Sequence, residues 1–151
     1  MKHMKSLRHV FVEYIPTDLK DGMIYVSVTF ATAAHKCCCG CGREVVTPLS
    51  PTDWNLVFDG ESISLDPSIG NWNFACQSHY WIIRNKVKWA KRWSPGEIGA
   101  GRAHDSLVKE RYFSATKTPA DHNTSANGGE PGYGKPNEGV WRKLIKWFRR
   151  K

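Results

Sequence analysis

The chain has 151 residues, of which 40% are apolar, with seven tryptophans and a formal net charge of +8. That is the length of one ordinary domain, with enough apolar mass to bury a core. No run of eighteen apolar residues is present, and the basic start, Met1 to Arg8, leads into no apolar stretch of signal-peptide type, so a cytoplasmic protein with no transmembrane segment is expected.

In chain order, residues 9 to 14 (HVFVEY) and 23 to 30 (MIYVSVTF) alternate and are rich in β-branched and aromatic residues, so both read as strands. Pro16, Asp21 and Gly22 supply turn chemistry between them. Glu44 to Thr47 forms a further short strand. Asp59-Gly60 separates Trp54 to Phe58 from Ser62 to Leu65 as in a tight hairpin, and Arg84-Asn85-Lys86 separates Tyr80 to Ile83 from Val87 to Trp89. Ser94-Pro95-Gly96-Glu97 has the form of a helix start, with serine as cap and glutamate three positions on.

The expected architecture is therefore mainly β (α+β): a small antiparallel β domain over residues 1–113 with one late helix. Residues 114–139 are rich in Gly, Pro, Asn, Ser and Thr and read as a flexible linker. Residues 140–151 carry six basic residues and no acidic one. On a helical wheel Val140, Trp141, Leu144, Ile145 and Phe148 share one face, which makes this a basic amphipathic tail suited to an anionic surface or a partner's groove. With that tail set aside the body is only mildly basic, which weighs against nucleic acid as its partner.

Five cysteines are present, three of them consecutive in His35-Lys36-Cys37-Cys38-Cys39-Gly40-Cys41-Gly42. Neighbouring cysteines pair poorly with each other, so a disulfide framework is disfavoured and metal binding in a reducing compartment fits better. Thiols interleaved with glycines suit a zinc knuckle, and Cys76 is the one cysteine outside it. The expected zinc ligands are Cys37, Cys39, Cys41 and Cys76. The register stays open at this level, since Cys38 and Cys41 have the familiar two-residue spacing and His79 also lies close to Cys76.

His35 with CCCGCG, then VVTPLSPTDW (45 to 54), LDPSIGNW (65 to 72) and CQSHYWI (76 to 82), resembles a bacterial domain family that occurs beside multi-ubiquitin-like proteins and their activating and conjugating enzymes. The resemblance covers about residues 9 to 105. It implies a component of a bacterial ubiquitin-like conjugation pathway, a peptidase that trims the ubiquitin-like protein or removes its conjugates, with that protein as partner. The competing function is a non-catalytic, zinc-stabilised adaptor that binds the same partner.

Hydrolysis needs a nucleophile with a base, or a metal-bound water with a proton shuttle. Ser78, His79 and His35 are the candidate catalytic groups. Adjacent Ser78 and His79 point to opposite faces of a strand and cannot pair with each other. Ser78 is therefore expected to pair with His35, or His79 to bind the metal. Residues 68 to 71 read as a tight loop, with Asn71 either a turn residue or an oxyanion donor. Asp53 and Asp66 read as turn caps or as orienters of an imidazole. The tryptophans pack the core by default, though a β-rich domain with a free edge can also capture a flexible tail by strand addition.

Overall fold

The computed structural model describes residues 3–116. The expected amphipathic tail and all but the first residues of the expected linker lie outside that range. Eight strands and one helix follow in order: β1 (Arg8–Phe11), β2 (Met23–Ser27), β3 (Thr32–Lys36), β4 (Glu44–Pro48), β5 (Asn55–Phe58), β6 (Ile63–Gly70), β7 (His79–Ile83), β8 (Lys86–Trp89) and α1 (Pro95–Ala115). They form two four-stranded sheets, β1-β2-β3-β4 and β5-β6-β7-β8. Among the described residues no helix is long and apolar enough to cross a membrane.

Strand alternation builds the core. Ile24 and Val26 of β2 point into one cluster, which they share with Ile63, Leu65 and Ile69 of β6, Tyr80 and Ile82 of β7, and Cys37 to Cys39. Tyr25, between Ile24 and Val26, faces the other way and packs with Leu19 and Ala34. With both faces covered, β2 needs the nearly continuous apolar run it has. The fully buried isoleucines and leucines each contribute about 1.5–3 kcal/mol through the hydrophobic effect. At the far edge, Val87 N donates to Lys5 O and Leu7 N to Asn85 O, so the N-terminal segment covers part of β8.

Three elements depart from the sequence expectation. The strand at 9 to 14 is shorter and pairs parallel with β2, in register Arg8↔Met23, instead of antiparallel. Thr32–Lys36 is a full strand between β2 and β4, although Ala33 and Ala34 give it no β-branched signature. Residues 68 to 70 are not a loop but the end of β6. Between the pairs Leu65↔Ile82 and Ile69↔Tyr80 the register shifts, so Asp66, Pro67 and Ser68 stand against Trp81 alone. Proline has no N–H to give a ladder and is at home in such a bulge, which re-aims the side chains it contains.

The helix begins as expected, with Ser94 and Glu97 closing a capping box. It runs to Ala115, two residues past the expected domain edge at 113, and buries none of its side chains. Its attachments are few. Gly101 lies so close to the Trp93 ring that a Cβ there would come within 2.9 Å of it. Arg102 Nη2 donates to Asn73 Oδ1 at 2.8 Å, and Lys109 Nζ meets Asp53 Oδ1 at 2.6 Å. Asp53, which also accepts from Ser50 Oγ at 2.6 Å, is thus an anchor for α1.

The hydrogen bond from Lys109, and then that from Ser50, hold the Asp53 carboxyl below its usual range. A depressed carboxylate stabilises the native state at pH above its unfolded value, and this contribution is lost as pH falls through the native value. Partial exposure of the pair limits it to about 1 kcal/mol at most. Amide protection factors in α1 are therefore expected to fall, relative to those of the sheets, as the pH is lowered from about 5 to about 3. Asp53→Asn should show the lower protection already at about pH 5. Equal pH responses in the two proteins would refute the anchor.

Candidate metal centre and active site

The knuckle is the turn from β3 to β4. Cys37 N donates to Arg43 O at 2.7 Å and Gly40 N to Cys37 O at 3.0 Å, while Gly40 and Gly42 take φ of 81° and 75°, a region that glycine enters without steric cost. Cys76 lies in the turn from β6 to β7. In that turn Phe74 N donates to Asn71 O and Gln77 N to Phe74 O, both at 3.0 Å. The two turns touch where Arg43 lies over the Phe74 ring, 5.3 Å from its centroid. Gln77 has a φ of 43°, and its side-chain oxygen accepts from the Arg92 guanidinium.

These turns bring Cys37, Cys39, Cys41 and Cys76 together, with all four Sγ atoms within 4.8 Å of one another. Individual separations are 3.4 Å for Cys37 to Cys39 and 3.9 Å from Cys76 to both Cys37 and Cys41. A tetrahedral ion with metal–sulfur bonds of about 2.3 Å has sulfur–sulfur edges of about 3.8 Å. The four thiols can therefore hold a metal ion. Cys38 turns into the core instead, where burial pushes its thiol up to about 12.

Ser78 lies on the metal side. Its Oγ is 3.1 Å from Cys37 Sγ and accepts from Asn71 Nδ2 at 2.8 Å. Asn71 Nδ2 also reaches the Tyr80 hydroxyl at 3.4 Å, and His35 Nε2 is bonded to that hydroxyl at 2.9 Å. Ser78 and His35, paired in the sequence reading, thus do not meet, because Asn71 and Tyr80 stand between them. Asn71 is likewise committed to this buried network. His35 is fully buried, its Nδ1 has no partner among the described residues, and burial holds the imidazole down at about 4, so it stays neutral.

His79 occupies the opposite face. Asn71 N donates to Ser78 O at 2.9 Å and Gly70 pairs with His79, so Gly70, Trp72, His79 and Trp81 project to the outer side of the sheet while Ile69, Asn71, Ser78 and Tyr80 project inward. On that outer side His79 Nε2 lies 2.9 Å from Ser68 Oγ, and His79 Nδ1 lies 3.0 Å from the Lys91 carbonyl oxygen. A carbonyl can only accept, so Nδ1 carries the ring proton and Nε2 offers its lone pair to the Ser68 hydroxyl. Ser68 is half-buried and accessible, whereas His79 is 5% exposed.

Three indoles enclose the imidazole. Trp72 and Trp93 stack on each other with centroids 5.3 Å apart, each lies 5.0 Å from the His79 ring, and Trp81 lies 5.6 Å from it. Gly70 makes room for this arrangement, since a Cβ there would sit 2.4 Å from the Trp72 ring. The sequence pointed to His79 and to the four metal-side cysteines. It did not single out Ser68 as a nucleophile, because residues 68 to 71 read as a tight loop rather than as the end of a bulged strand.

A hydroxyl bonded to the free nitrogen of an imidazole, itself oriented through its other nitrogen, is the arrangement that activates serine for acyl transfer. No curated protein matches the chain, and no solved structure does. Residues 11–90, more than half of the chain, match the family described as bacterial ubiquitination-like system serine protease (BubE). That span contains the knuckle, Cys76, Ser68 and His79, and the chain belongs to this bacterial ubiquitination-like system serine protease family.

Proposed function

We propose that the protein is a serine peptidase of a bacterial ubiquitin-like pathway that cleaves the peptide or isopeptide bond at the end of the ubiquitin-like protein, with Ser68 as nucleophile and His79 as base. The observation that carries this reading is the contact of 2.9 Å between Ser68 Oγ and a His79 whose other nitrogen is held by the Lys91 carbonyl. Ser68 Oγ attacks the scissile carbonyl and its proton passes to His79 Nε2. The carbon–nitrogen bond then breaks, and the same proton leaves with the departing amine. A water deprotonated by His79 next attacks the Ser68 ester, which releases the acid and restores the hydroxyl. The indoles around His79 exclude bulk water, which strengthens the hydrogen bonds that steer the proton.

The cysteine site has a separate task in this reading. Four thiolates would complete the coordination of a zinc ion and leave no position for a reacting water, as in structural centres. Held by Cys37, Cys39, Cys41 and Cys76, zinc would cross-link the knuckle to the turn that carries Cys76 and, three residues on, His79. Purified protein is expected to contain about one equivalent of zinc, largely lost in Cys41→Ser and Cys76→Ser and kept in Cys38→Ser. Elemental analysis checks this, and full retention in the first two variants would remove them from the site.

Activity is tested by incubating the protein with its ubiquitin-like precursor and following cleavage by mass. Ser68→Ala and His79→Gln should each lower kcat by about a thousandfold or more with folding intact. Ser78→Ala should keep turnover and instead lose about 1–3 kcal/mol in denaturant titration, because it strands the buried Asn71 amide. Cleavage that survives Ser68→Ala but not Ser78→Ala would overturn the assignment.

A further inference from the structure

Resting on the Ser68–His79 reading, we propose that the substrate's tail binds as an added β-strand along the edge of β6, beside Gly70, in a lane that β5 leaves empty. Strand β5 pairs with β6 only from Phe58↔Ile63 to Asn55↔Asp66. The pairing stops there because the preceding chain is drawn to the other sheet. Trp54 N donates to Pro48 O at 3.2 Å, and Leu49 and Trp54 form a parallel bridge. Had β5 continued in the same register, Asp53 would lie opposite Ser68. Instead Asp53 turns to Ser50 and Lys109.

The backbone of β6 faces this lane in a defined way. The bond from Asn71 N to Ser78 O directs the polar groups of Asn71 toward the β7 side, and alternation does the same for Ile69, the partner of Tyr80. Gly70 N–H and C=O then point away from β7 into the lane, and no described residue bonds them. The helix buries none of its side chains, and its polar attachments go to Asn73 and Asp53 rather than to residues 68–70. One donor and one acceptor on a free edge are what an extended peptide satisfies by strand addition.

Gly70 is two residues from Ser68, one repeat of an extended chain of about 6.6 Å. A peptide whose scissile carbonyl lies at Ser68 Oγ therefore pairs with Gly70 through the residue two positions away. Recognition there is by main chain, so the bound residue needs an N–H and an extended conformation and no particular side chain. The ligand class is an unstructured, extended protein terminus.

The test uses peptides that carry the ubiquitin-like protein's terminal residues and a reporter on the scissile bond, each with a single N-methylated amide. Methylation at the residue two positions from the scissile bond should lower kcat/KM by about tenfold or more, whereas alanine at the same residue should change it by less than about threefold. Uniform tolerance of methylation, within about twofold at every non-scissile position, would overturn the lane. In parallel, the Gly70 amide of the Ser68→Ala protein should exchange more slowly when the intact precursor is added, and unchanged exchange would also overturn it. The unmodified peptide distinguishes the two readings. Cleavage by Ser68→Ala would refute the nucleophile, while Ser68-dependent cleavage that ignores N-methylation would refute only the added strand.

Discussion

The pairing of β6 with β7 is the constraint on which both sites depend. Gly70 stands opposite His79 and Ile69 opposite Tyr80, and from that register the two-residue period of a strand assigns every nearby side chain to a face. Ser78 and His79 are neighbours in the chain yet serve different chemistry, one bonded to Asn71 beside Cys37 Sγ and the other to Ser68. A slip of one residue would carry His79 into the core and Tyr80 out of it. The buried network from His35 through Tyr80 and Asn71 to Ser78 opposes such a slip, because it would strand several polar groups away from water.

The metal-side cysteines gather at the end of the same register. Cys76 sits in the turn that sets where β7 begins, and the knuckle with which it groups is an extension of β3 in the other sheet. A metal ion held by these thiols would tie the start of β7 to a fixed point across the core. It need not touch the reacting groups to matter for them, since the position of His79 follows from that of Cys76 three residues earlier. Gln77, in its left-handed conformation between the two, and its contact with Arg92 brace the intervening step.

Much of this could be read from residue types alone. The cysteine spacing, the serine–glutamate cap of α1, the Asp59-Gly60 hairpin and the opposed directions of Ser78 and His79 all follow from local chemistry. The parallel pairing of β1 and the alanine-rich β3 did not, because tertiary neighbours rather than propensity decide them. Ser68 was hidden for a different reason. Regular alternation cannot describe a strand in which Asp66, Pro67 and Ser68 face Trp81 alone, and it is this surplus of chain that brings the hydroxyl to His79. Gly70, which suggested a tight loop at 68 to 71, instead serves the close approach of Trp72, and Pro67 lies in the bulge.

The group that orients His79 could not have been found from side chains at all. It is the backbone carbonyl of Lys91, placed by the pairing of β7 with β8, in which Tyr80 meets Trp89 and Ala90 N donates to His79 O at 2.9 Å. Any residue type at position 91 offers the same acceptor. A carbonyl also differs from a carboxylate in bearing no full negative charge, so it fixes the imidazole's tautomer and direction while giving less support to the charged imidazolium. The surrounding indoles leave the ring 5% exposed, so little water competes for its two hydrogen bonds. The serine–histidine pair and its main-chain orienter thus sit inside an aromatic cage on this sheet, and Gly70 is what lets that cage close on the same face as Ser68.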